Sequence, residues 1–585
     1  MKISSIVPRL VSALGLLSLS LLCLNAEAAT LDVGPSGHTY TSVQSAIDQA
    51  VAGDTVLVHD GTYVENIDFQ GKAITVRSQN GPLHTVLDGN GSGSVVTFNS
   101  EEDDDSILDG FTITNGDAQG GGIRCQNASP TVKNCRITGN ASSGDGGGIF
   151  CIKQPTSDHG CAPVFSNCII YGNQAGFGGE GGGVYCGLYS RPSFSRCIID
   201  SNTAKTGGGI SCYASFASFD SCTLSNNTAS NLGGGLYAYN QSPTLTNSLL
   251  FGNTVTGSTA GTGGGGLACF QCSPVITNCT FVGNTGNSSG GAILALDADP
   301  VILNSILWGN EDSGTEPDEI SLASGSTIDI SYSDIQGDYA GTGNINIDPE
   351  FADAAGFDLH LEPSSPCIDQ GTSTGAPERD IDGDPRLIVS GGDGQPDMGA
   401  DEYRSSRDVG PPGSGYDFSS INAAVAASVS GNLIVVHDGT YEENIDFGGK
   451  AITLRSENGP EHTILDGRSA GSVVTFQKGE GGDAVLEGFT IRNGALTGGV
   501  ACINGSSPTI TDCLIHNSTA EFFGGGIYIY QGSSPTISTC TITGNTADYG
   551  GGVFFWQDCS PSIQGCTIKN NTAAYEGGGI YAEAC

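Results

Sequence analysis

A repeat of about 26 residues constrains the fold of this chain more than any other sequence feature. The apolar residue that follows each glycine run recurs in steps of 26 or 27, and two longer steps, of 35 and 31, contain an inserted loop. These residues are Ile123, Ile149, Val184, Ile210, Leu236, Leu267 and Ile293, and then Val500, Ile527, Val553 and Ile580. Each such unit buries its apolar face only by stacking on its neighbours.

Within a unit, short alternating apolar segments are separated by Gly, Ser-Pro and Asn-containing turns, as in SPTVKNCRITGN, SPTLTNSLLFGN and SPTISTCTITGN. The segment length and the β-branched content favour strands over helices. A unit of this size is too short for a propeller blade but accommodates three short strands. If units stack so that each strand pairs with its copy one coil later, the product is a parallel β-solenoid.

One asparagine occupies an equivalent turn position in almost every unit. A single Asn in a turn is ordinary, but stacked copies are predicted to pass side-chain hydrogen bonds along the solenoid. The predicted ladder consists of Asn140, Asn173, Asn202, Asn227, Asn253, Asn284, Asn545 and Asn571, with Ser518 as the one substitution.

A second level of repetition duplicates the start of the solenoid. Residues 58–89 match residues 436–467, and the offset of 378 holds without a gap from Val43/Ile421 to Gly116/Gly494. Each copy follows a segment with helical periodicity, and Ser42 is placed to cap the first of these helices. Because the open end of a solenoid needs a cover, the pattern predicts two tandem solenoids, each with a short N-terminal capping helix.

The unit GGGI…SP…NC.I.GN resembles the repeat of right-handed parallel β-helices, the architecture of the pectate lyase superfamily. Its GGGI and Gly-Asn pieces are similar to the repeats of polymorphic outer membrane proteins. The motifs SPCIDQG, DIDGDPR and DMGADEY resemble a closing segment known as choice-of-anchor Q. The resemblance implies an all-β fold of right-handed parallel β-helices, of which the duplication predicts two in tandem. It implies no single activity, because this fold hosts lyases, hydrolases, epimerases and adhesins.

The expected domains follow from these patterns. Residues 1–28 read as a signal peptide, with a basic start, an apolar run and an A-x-A cleavage site; the alternative, a lipoprotein signal that uses Cys23, is disfavoured by the large Leu22 before it. The first β-helix is expected at 29–296, its closing segment at 297–403 and the second β-helix at 404–585. Because the chain stops within a unit, we expect the second β-helix to be truncated and any anchor to lie downstream.

The charge of the chain argues against nucleic acid as a partner, and its hydropathy argues against a membrane-spanning helix. The formal net charge is −41, with 62 acidic and 21 basic residues, whereas nucleic-acid binding requires basic patches. The simplest interpretation of the acidic surface is solubility outside the cell. After the signal no stretch of 18 apolar residues occurs, so no transmembrane helix is predicted in this chain.

Cysteines recur at two positions of the unit, and an exported chain favours disulfides over metal. Units of the first solenoid keep or lose both cysteines together, as at Ala238/Ser248 and Ala295/Ser305. This predicts a disulfide within each coil; the alternative is a column of buried free thiols, and pairing in the second solenoid stays open. The predicted pairs are Cys125 with Cys135, Cys151 with Cys168, Cys186 with Cys197, Cys212 with Cys222 and Cys269 with Cys279.

A candidate metal site lies in the closing segment. Asp380, Asp382 and Asp384 alternate along the chain, and such oxygen ligands suit calcium, although the distal Glu spacing of an EF-hand is absent. The alternative is a solvated acidic turn. No other cofactor is expected.

The function that the sequence favours is a non-catalytic, exported β-helix scaffold, secreted or held at the cell surface or outer membrane, that serves adhesion or envelope structure. No cluster of carboxylates with a neighbouring Arg or Lys base is recognisable, so a catalytic role is not favoured. The alternative is a β-helix that binds or degrades a polysaccharide as a lyase, hydrolase or epimerase. The glycan or protein ligand is not specified by the sequence.

Overall fold

The computed structural model describes residues 28–583, apart from positions 260, 313–317, 324, 385, 387–394 and 415. The predicted signal peptide lies outside the described residues except for Ala28, and Cys585 lies outside them too. Almost every regular element is a short strand, and the strands stack as a parallel β-solenoid, as the repeat predicts.

The N-terminal stack (residues 30–335) consists of three parallel sheets, to each of which a typical coil contributes one strand. Sheet 1 contains Thr30–Val33, Thr55–Val58, Thr75–Ser78, Ile107–Asp109, Thr131–Lys133, Val164–Ser166, Ser193–Ser195, Ser218–Asp220, Thr244–Thr246, Val275–Thr277, Val301–Leu303 and Asp329–Ser331. Sheet 2 contains Gly61–Val64, Thr85–Asp88, Thr112–Thr114, Arg136–Thr138, Ile169–Tyr171, Ile198–Asp200, Thr223–Ser225, Leu249–Phe251, Thr280–Val282, Ile306–Trp308 and Asp334–Ile335. Sheet 3 contains Ile67–Asp68, Val96–Phe98, Ile123–Gln126, Ile149–Ile152, Val184–Gly187, Ile210–Tyr213, Leu236–Tyr239, Leu267–Phe270, Ile293–Leu296 and Ile320–Leu322.

The C-terminal stack (residues 406–583) repeats this arrangement with its own three sheets. Sheet 4 contains Ser406–Val409, Leu433–Val436, Thr453–Ser456, Val485–Glu487, Thr509–Thr511, Thr536–Ser538 and Ser562–Gln564. Sheet 5 contains Gly439–Tyr441, Thr463–Asp466, Thr490–Arg492, Leu514–His516, Thr541–Thr543 and Thr567–Lys569. Sheet 6 contains Ile445–Asp446, Val474–Phe476, Val500–Cys502, Ile527–Tyr530, Val553–Trp556 and Ile580–Glu583.

Minor elements complete the fold. Parallel side ribbons comprise Thr203–Thr206, Thr228–Leu232 and Thr254–Val255 in the first stack, and Thr546–Tyr549 and Thr572–Glu576 in the second. The linking segment (residues 336–405) contains the antiparallel pair Phe351–Asp353 and Asp358–Leu361, with a 3-10 turn at Ala354–Gly356 between them. Helices α1 (Val43–Gln49) and α2 (Ile421–Ala426) cover the first coils. Among the described residues, no helix is long and apolar enough to cross a membrane.

The sheets of the first stack run further than the sequence suggested. Strands of sheets 1, 2 and 3 continue to Asp329–Ser331, Asp334–Ile335 and Ile320–Leu322, inside the segment expected to close the solenoid at 297–403. The reason is that these coils keep the inward apolar positions of the repeat, such as Ile330 and Ile335, although their glycine run is lost.

The core is a set of columns in which identical positions of successive coils lie on one another. In sheet 1, Phe165, Phe194 and Phe219 are buried, and their rings stack at centroid distances of 4.8 and 5.2 Å. Burying one such ring contributes about 2 kcal/mol. The glycine runs allow the chain to turn tightly between coils. Gly207 has a φ of 62°, and a Cβ there would lie 2.2 Å from the Ile210 carbonyl oxygen.

The predicted asparagine ladder is present and buried in the first stack. Nδ2 of Asn202 donates to Oδ1 of Asn227 at 3.0 Å, and the same bond links Asn227 to Asn253 at 3.0 Å. Each Oδ1 also accepts the backbone N–H of the preceding ladder residue, as Asn202 N to Asn227 Oδ1 at 3.0 Å shows. In the second stack, Ser518 stands in the column, and Asn545 bonds Asn571 at 3.1 Å.

Two ladder residues were missed from the sequence. Asn284 Nδ2 donates to Asn310 Oδ1 at 2.7 Å, and Asn310 Nδ2 donates to Glu319 Oε2 at 2.6 Å. Asn310 ends the segment Trp-Gly-Asn, so the Gly-Asn pair that marks several other units was a sufficient signal. Glu319 has no sequence signal because no strand pattern precedes it. Burial raises the pKa of Glu319 to about 8.

The predicted disulfides within coils are wrong. All ten candidate cysteines are free thiols. Cysteines at the first position of the unit stack on sheet 3, where Cys125 pairs in register with Cys151 and Cys151 with Cys186. The structure therefore corrects every predicted pair, namely Cys125 with Cys135, Cys151 with Cys168, Cys186 with Cys197, Cys212 with Cys222 and Cys269 with Cys279.

Cysteines at the second position form a separate buried column that begins with Cys135. The thiol of Cys135 donates to the carbonyl oxygen of Lys133 at 3.2 Å. The next member, Cys168, is hydrogen-bonded through its thiol to Cys135 on one side and to Cys197 on the other. Cys135 thus contacts its copy in the next coil and forms no disulfide with Cys125.

The physical reason lies in parallel stacking. The coil repeat places equivalent residues roughly 4.8 Å apart, so each sulfur meets its copy in the next coil. The two cysteines of one coil belong to different columns, since the sheet 1 strand of the unit lies between them in the chain. They behave as small buried hydrophobes, which was the alternative left open from the sequence.

Candidate functional site

A large group of charged side chains lies where the linking segment meets both stacks. The linking segment packs on turns between sheets 1 and 2, where Asn278 Nδ2 donates to the Asp397 and Gly399 carbonyl oxygens at 3.1 and 3.3 Å. One coil later, Asn304 exchanges two hydrogen bonds with the backbone of Thr372, at 2.8 and 2.9 Å. Both asparagines have positive φ and lie in the turns between sheets 1 and 2. The linking segment packs against these turns.

Arg386 fastens this segment to the first stack. Its side chain is fully buried, and Nη1 lies 3.1 Å from Glu402 Oε2. Nη2 donates to Asn247 Oδ1 at 3.1 Å and to the carbonyl oxygen of Ala400 at 2.7 Å. A buried guanidinium needs such a set of acceptors, because an unpaired one would cost several kcal/mol, roughly 3–5. Arg386 therefore acts as a structural fastener.

The acidic turn predicted to bind calcium does not bring its three carboxylates together. Asp380 Oδ1 accepts the backbone N–H groups of Asp382, Gly383 and Asp384 at 3.0, 2.8 and 2.7 Å. Its Oδ2 accepts the N–H of Glu402 at 2.9 Å. Asp380 thus closes the turn on itself, and the set Asp380, Asp382 and Asp384 is corrected as a common ligand set.

The other two carboxylates of the turn face different partners. Asp384 lies 3.2 Å from Arg407 Nη2 and 3.4 Å from Arg404 Nη1. Asp382 Oδ2 lies 2.9 Å from His360 Nε2. Successive side chains point in different directions because the turn is held tightly around the Asp380 carboxylate, so the alternation in the sequence separates the carboxylates in space.

His360 lies at the centre of the cluster, on the strand Asp358–Leu361. Its Nδ1 contacts Asp358 Oδ1, and its Nε2 contacts Asp382. Burial disfavours the imidazolium, but the hydrogen bonds to Asp358 and Asp382, with Asp401 nearby, hold the pKa of His360 well above its ordinary value. Because both ring nitrogens are engaged, this histidine has no free nitrogen to act as a general base.

A cavity of about 400 Å³ opens beside this histidine. It is lined by Thr223 and Leu249 of the first stack, by His360, Asp382 and Asp401 of the linking segment, and by Ala426 of α2. Asp401 is only 5% exposed. Its Oδ2 accepts the N–H of Leu361 at 2.8 Å, while its Oδ1 has no hydrogen-bond partner.

The same cluster reaches the second stack. Lys450 Nζ donates to the carbonyl oxygens of Ala426 and Ser428 at 2.8 and 2.6 Å, and it lies 3.8 Å from Asp358 Oδ2. Arg407 Nη1 donates to Asn432 Oδ1 at 2.6 Å. We call the group His360, Asp358, Asp382, Asp384, Asp401, Arg404, Arg407 and Lys450 the ionic joint. The sequence predicted a role for two members, Asp382 and Asp384, and it placed Asp401 in the closing-segment motif DMGADEY without a role. The other members come from segments that carry no motif shared with these.

The comparisons with known proteins agree with this architecture. A family model described as "Right handed beta helix region" matches residues 56–261, 208–343 and 462–585. No curated protein sequence matches the chain. Among solved structures, pectate lyase Pel9A is 15% identical, covers 64% of this chain and 96% of its own, and has a TM-score of 0.40.

Two further solved structures have lower TM-scores. The PL6 family alginate lyase AlyGC is 14% identical over 91% of this chain and 84% of its own, with a TM-score of 0.30. Pectin methylesterase from carrot is 11% identical over 51% and 87%, with a TM-score of 0.27. At these TM-scores none of the three carries an argument about activity.

Proposed function

This chain belongs to the right-handed β-helix family, and from that premise we propose that it is a non-catalytic scaffold, exported and either secreted or held at the cell surface. Its long flanks serve adhesion or envelope structure. The A-x-A signal pattern and the acidic composition support export. The resemblance of the repeat to that of polymorphic outer membrane proteins supports a location at the cell surface.

One observation carries the non-catalytic part of this proposal. Within the described residues, the titratable side chains of the ionic joint bind one another and the backbone, and so they join the linking segment to the second stack. Both ring nitrogens of His360 are engaged, and Asp380 is saturated by four backbone N–H groups. A general acid or base needs a group that is free to exchange a proton with substrate. Side chains whose polar atoms are already hydrogen-bonded within the protein stabilise the fold.

The test is turnover. The purified full chain is incubated with uronic-acid and neutral polysaccharides, with calcium and with chelator, and product release is followed by unsaturated-product absorbance and by reducing ends. We expect no product above a boiled control. Release of product that depends on intact protein would overturn the proposal. Adhesion is measured separately, as binding of labelled chain to whole cells and to immobilised matrix glycans.

A second candidate function, polysaccharide binding, is favoured by an outward-facing aromatic column on sheet 3. The rings of Tyr213, Tyr239 and Phe270 stack at 4.8 and 5.3 Å, and Tyr213 is 38% exposed. Sheet 6 has the same strand position filled by Tyr530 and Trp556, 5.7 Å apart. Aromatic side chains combine an apolar face with a polar edge, which suits the apolar face of a sugar ring.

This candidate has its own test. Tyr213→Ala and Tyr239→Ala should each weaken retention on the glycan that the panel identifies, by roughly tenfold for one lost ring contact of about 1.4 kcal/mol. Tyr171→Ala, a similarly exposed tyrosine on sheet 2, is the matched control. Equal retention of all three variants would exclude the aromatic column as the binding surface.

A further inference from the structure

His360, Asp382 and Asp401 offer one ligand atom each within 4.8 Å of one another. These three side chains come from the strand Asp358–Leu361, the acidic turn and the end of the linking segment. An imidazole with two carboxylates is a donor set that divalent transition metals accept. The group also lines a cavity of about 400 Å³, which has room for an ion beside these three side chains.

A second, independent feature points to a cation at this place. Asp401 is 5% exposed and lines the cavity, yet its Oδ1 accepts no hydrogen bond. Buried polar atoms are normally satisfied, and an exception calls for an explanation such as an ion. Arg407 and Lys450 lie in the same joint but are committed to Asp384 and to the α2 carbonyl oxygens. A bound metal ion would give this carboxylate oxygen the positively charged partner that it lacks.

We propose that His360, Asp382 and Asp401 bind one divalent transition-metal ion of the Zn²⁺ class. The imidazole nitrogen favours zinc over calcium, which takes six to eight oxygen ligands. Asp380 and Asp384 cannot complete a calcium shell because their oxygens are committed to backbone N–H groups and to arginine. The site therefore differs in ligands and in metal class from the calcium site expected from the sequence.

Metal binding displaces one proton. A protonated His360 gives up the proton on Nε2 to solvent, and the hydrogen bond from Nε2 to Asp382 is broken. Nε2 and one oxygen each of Asp382 and Asp401 then bind the metal. Nδ1–H stays in place and donates to Asp358, which orients the ring as a carboxylate partner of a metal-bound histidine does. The ion would tie together three parts of the linking segment at the point where α2 packs.

The experiment uses the full chain, stripped of metal and kept reduced, and titrated with Zn²⁺ by calorimetry. We expect one tight site at a stoichiometry of one, with affinity lowered by about 100-fold or more in His360→Gln and in Asp401→Asn. Asp358→Asn should weaken binding by roughly 10- to 100-fold, the range for a partner that orients a ligand. His462→Gln, an exposed histidine beside Asp438, is the matched control and should bind like the parent.

Spectroscopy keeps the test decisive if a variant fails to fold. Cobalt substituted into the unaltered chain should show an X-ray absorption shell of one imidazole nitrogen with oxygens. A sulfur shell would place the metal on the cysteine columns and overturn the proposal. Tight binding of Ca²⁺ without Zn²⁺, or unchanged Zn²⁺ affinity in folded His360→Gln, would overturn it as well. The readout is metal binding, so its failure is independent of the turnover test above.

Discussion

The caps at the start of the two stacks, which contain helices α1 and α2, have similar backbones and different surroundings. In both, a glutamate caps the helix: Glu65 accepts from Ser42 Oγ and Val43 N at 2.8 Å, and Glu443 accepts from Ser420 Oγ at 2.8 Å. In both, a lysine closes the other end of the helix by donating to its last carbonyl oxygens. The cap is thus a self-sufficient unit that folds in the same way at either place.

The difference lies in the strand that enters the cap. Leu31 of the first copy stands where the second copy has Arg407, and Arg404 lies just before that second strand. The arginines face Asp384 of the linking segment, which has no described counterpart beside the first cap. Within the described residues, the same cap thus covers the first stack without such ion pairs and is joined to the linking segment in the second stack by two arginines.

The largest expected effect comes from making the second cap resemble the first. Arg407→Leu leaves Asp384 buried against Arg404 alone, so the C-terminal stack should lose about 3 kcal/mol in its free energy of unfolding. Unfolding in urea is followed by tryptophan fluorescence, because Trp308 lies in the first stack and Trp556 in the second. The Trp308→Phe background reports the second stack alone.

Two variants serve as controls for this change. Arg407→Leu with Asp384→Asn should recover most of the loss, since the unpaired charge is removed. Leu31→Arg places the same charge in the first cap, where no Asp384 faces it, and should destabilise the N-terminal stack. Equal stability of Arg407→Leu and the parent chain would contradict the role of the joint.

The ladders give the next largest effect. Asn227→Ser copies into the first stack the interruption that Ser518 makes in the second. It disturbs four hydrogen bonds that the Asn227 side chain makes with Ile199, Asn202 and Asn253. Buried partners left unsatisfied cost about 2 kcal/mol in the free energy of unfolding, measured in the Trp556→Phe background.

The reverse substitution, Ser518→Asn, completes the second ladder and should stabilise the C-terminal stack by about 1 kcal/mol. It is measured by urea unfolding in the Trp308→Phe background. If Asn227→Ser is silent while Ser518→Asn is destabilising, the columns are not the source of stability that the structure indicates.

A smaller and equal effect is expected where the caps agree. Glu65→Ala and Glu443→Ala each remove hydrogen bonds to the first turn of a helix, which should cost about 1 kcal/mol in each stack. The helical circular dichroism signal during unfolding, together with the two tryptophans, measures the loss. A marked inequality between the two variants would show that the joint also supports α2.

The smallest effect concerns pH. His437 is flanked by Asp408 at 2.9 Å and Glu457 at 2.8 Å and stacks on Tyr416 at 3.8 Å. Burial lowers the pKa of His437, but the bonds to Asp408 and Glu457 outweigh it and raise the pKa above its ordinary value. The stabilising contribution is therefore complete below the ordinary pKa of 6.5 and is lost as the pH rises through the raised folded pKa.

For a partly exposed pair this contribution is about 0.5 kcal/mol. Glu457→Gln reproduces Gln79, the matching residue of the first copy, and should flatten the pH dependence of the C-terminal stack. The midpoint of urea unfolding, measured from about pH 5.5 to about pH 8.5, tests this expectation. A parent chain whose second stack gains stability over this range would contradict the sign.

The solenoid could be predicted from the sequence because the residues that specify it are close together in the chain and recur from coil to coil. The 26-residue step, the Ser42 cap and the in-register asparagines each depend on residues within one coil or one coil apart, where the coil spacing alone sets the geometry. Sequence reasoning failed for the cysteines, because keeping both residues in one unit, such as Cys125 and Cys135, was interpreted as contact within the unit. Parallel stacking instead brings each cysteine to its copy in the neighbouring coil.

The sequence by itself determined the coil, its columns and the duplicated cap. Only the tertiary structure decided where the charged side chains meet. Arg386 contacts Asn247, which is 139 residues away in the chain. Asp401 accepts a hydrogen bond from the backbone N–H of Leu361, which is 40 residues away and directly follows His360. No periodicity links such pairs, because the linking segment folds back irregularly over the solenoid. The alternation of Asp380, Asp382 and Asp384 thus identified the turn. Its folding places Asp382 and Asp384 in the ionic joint and leaves Asp380 bound to backbone N–H groups.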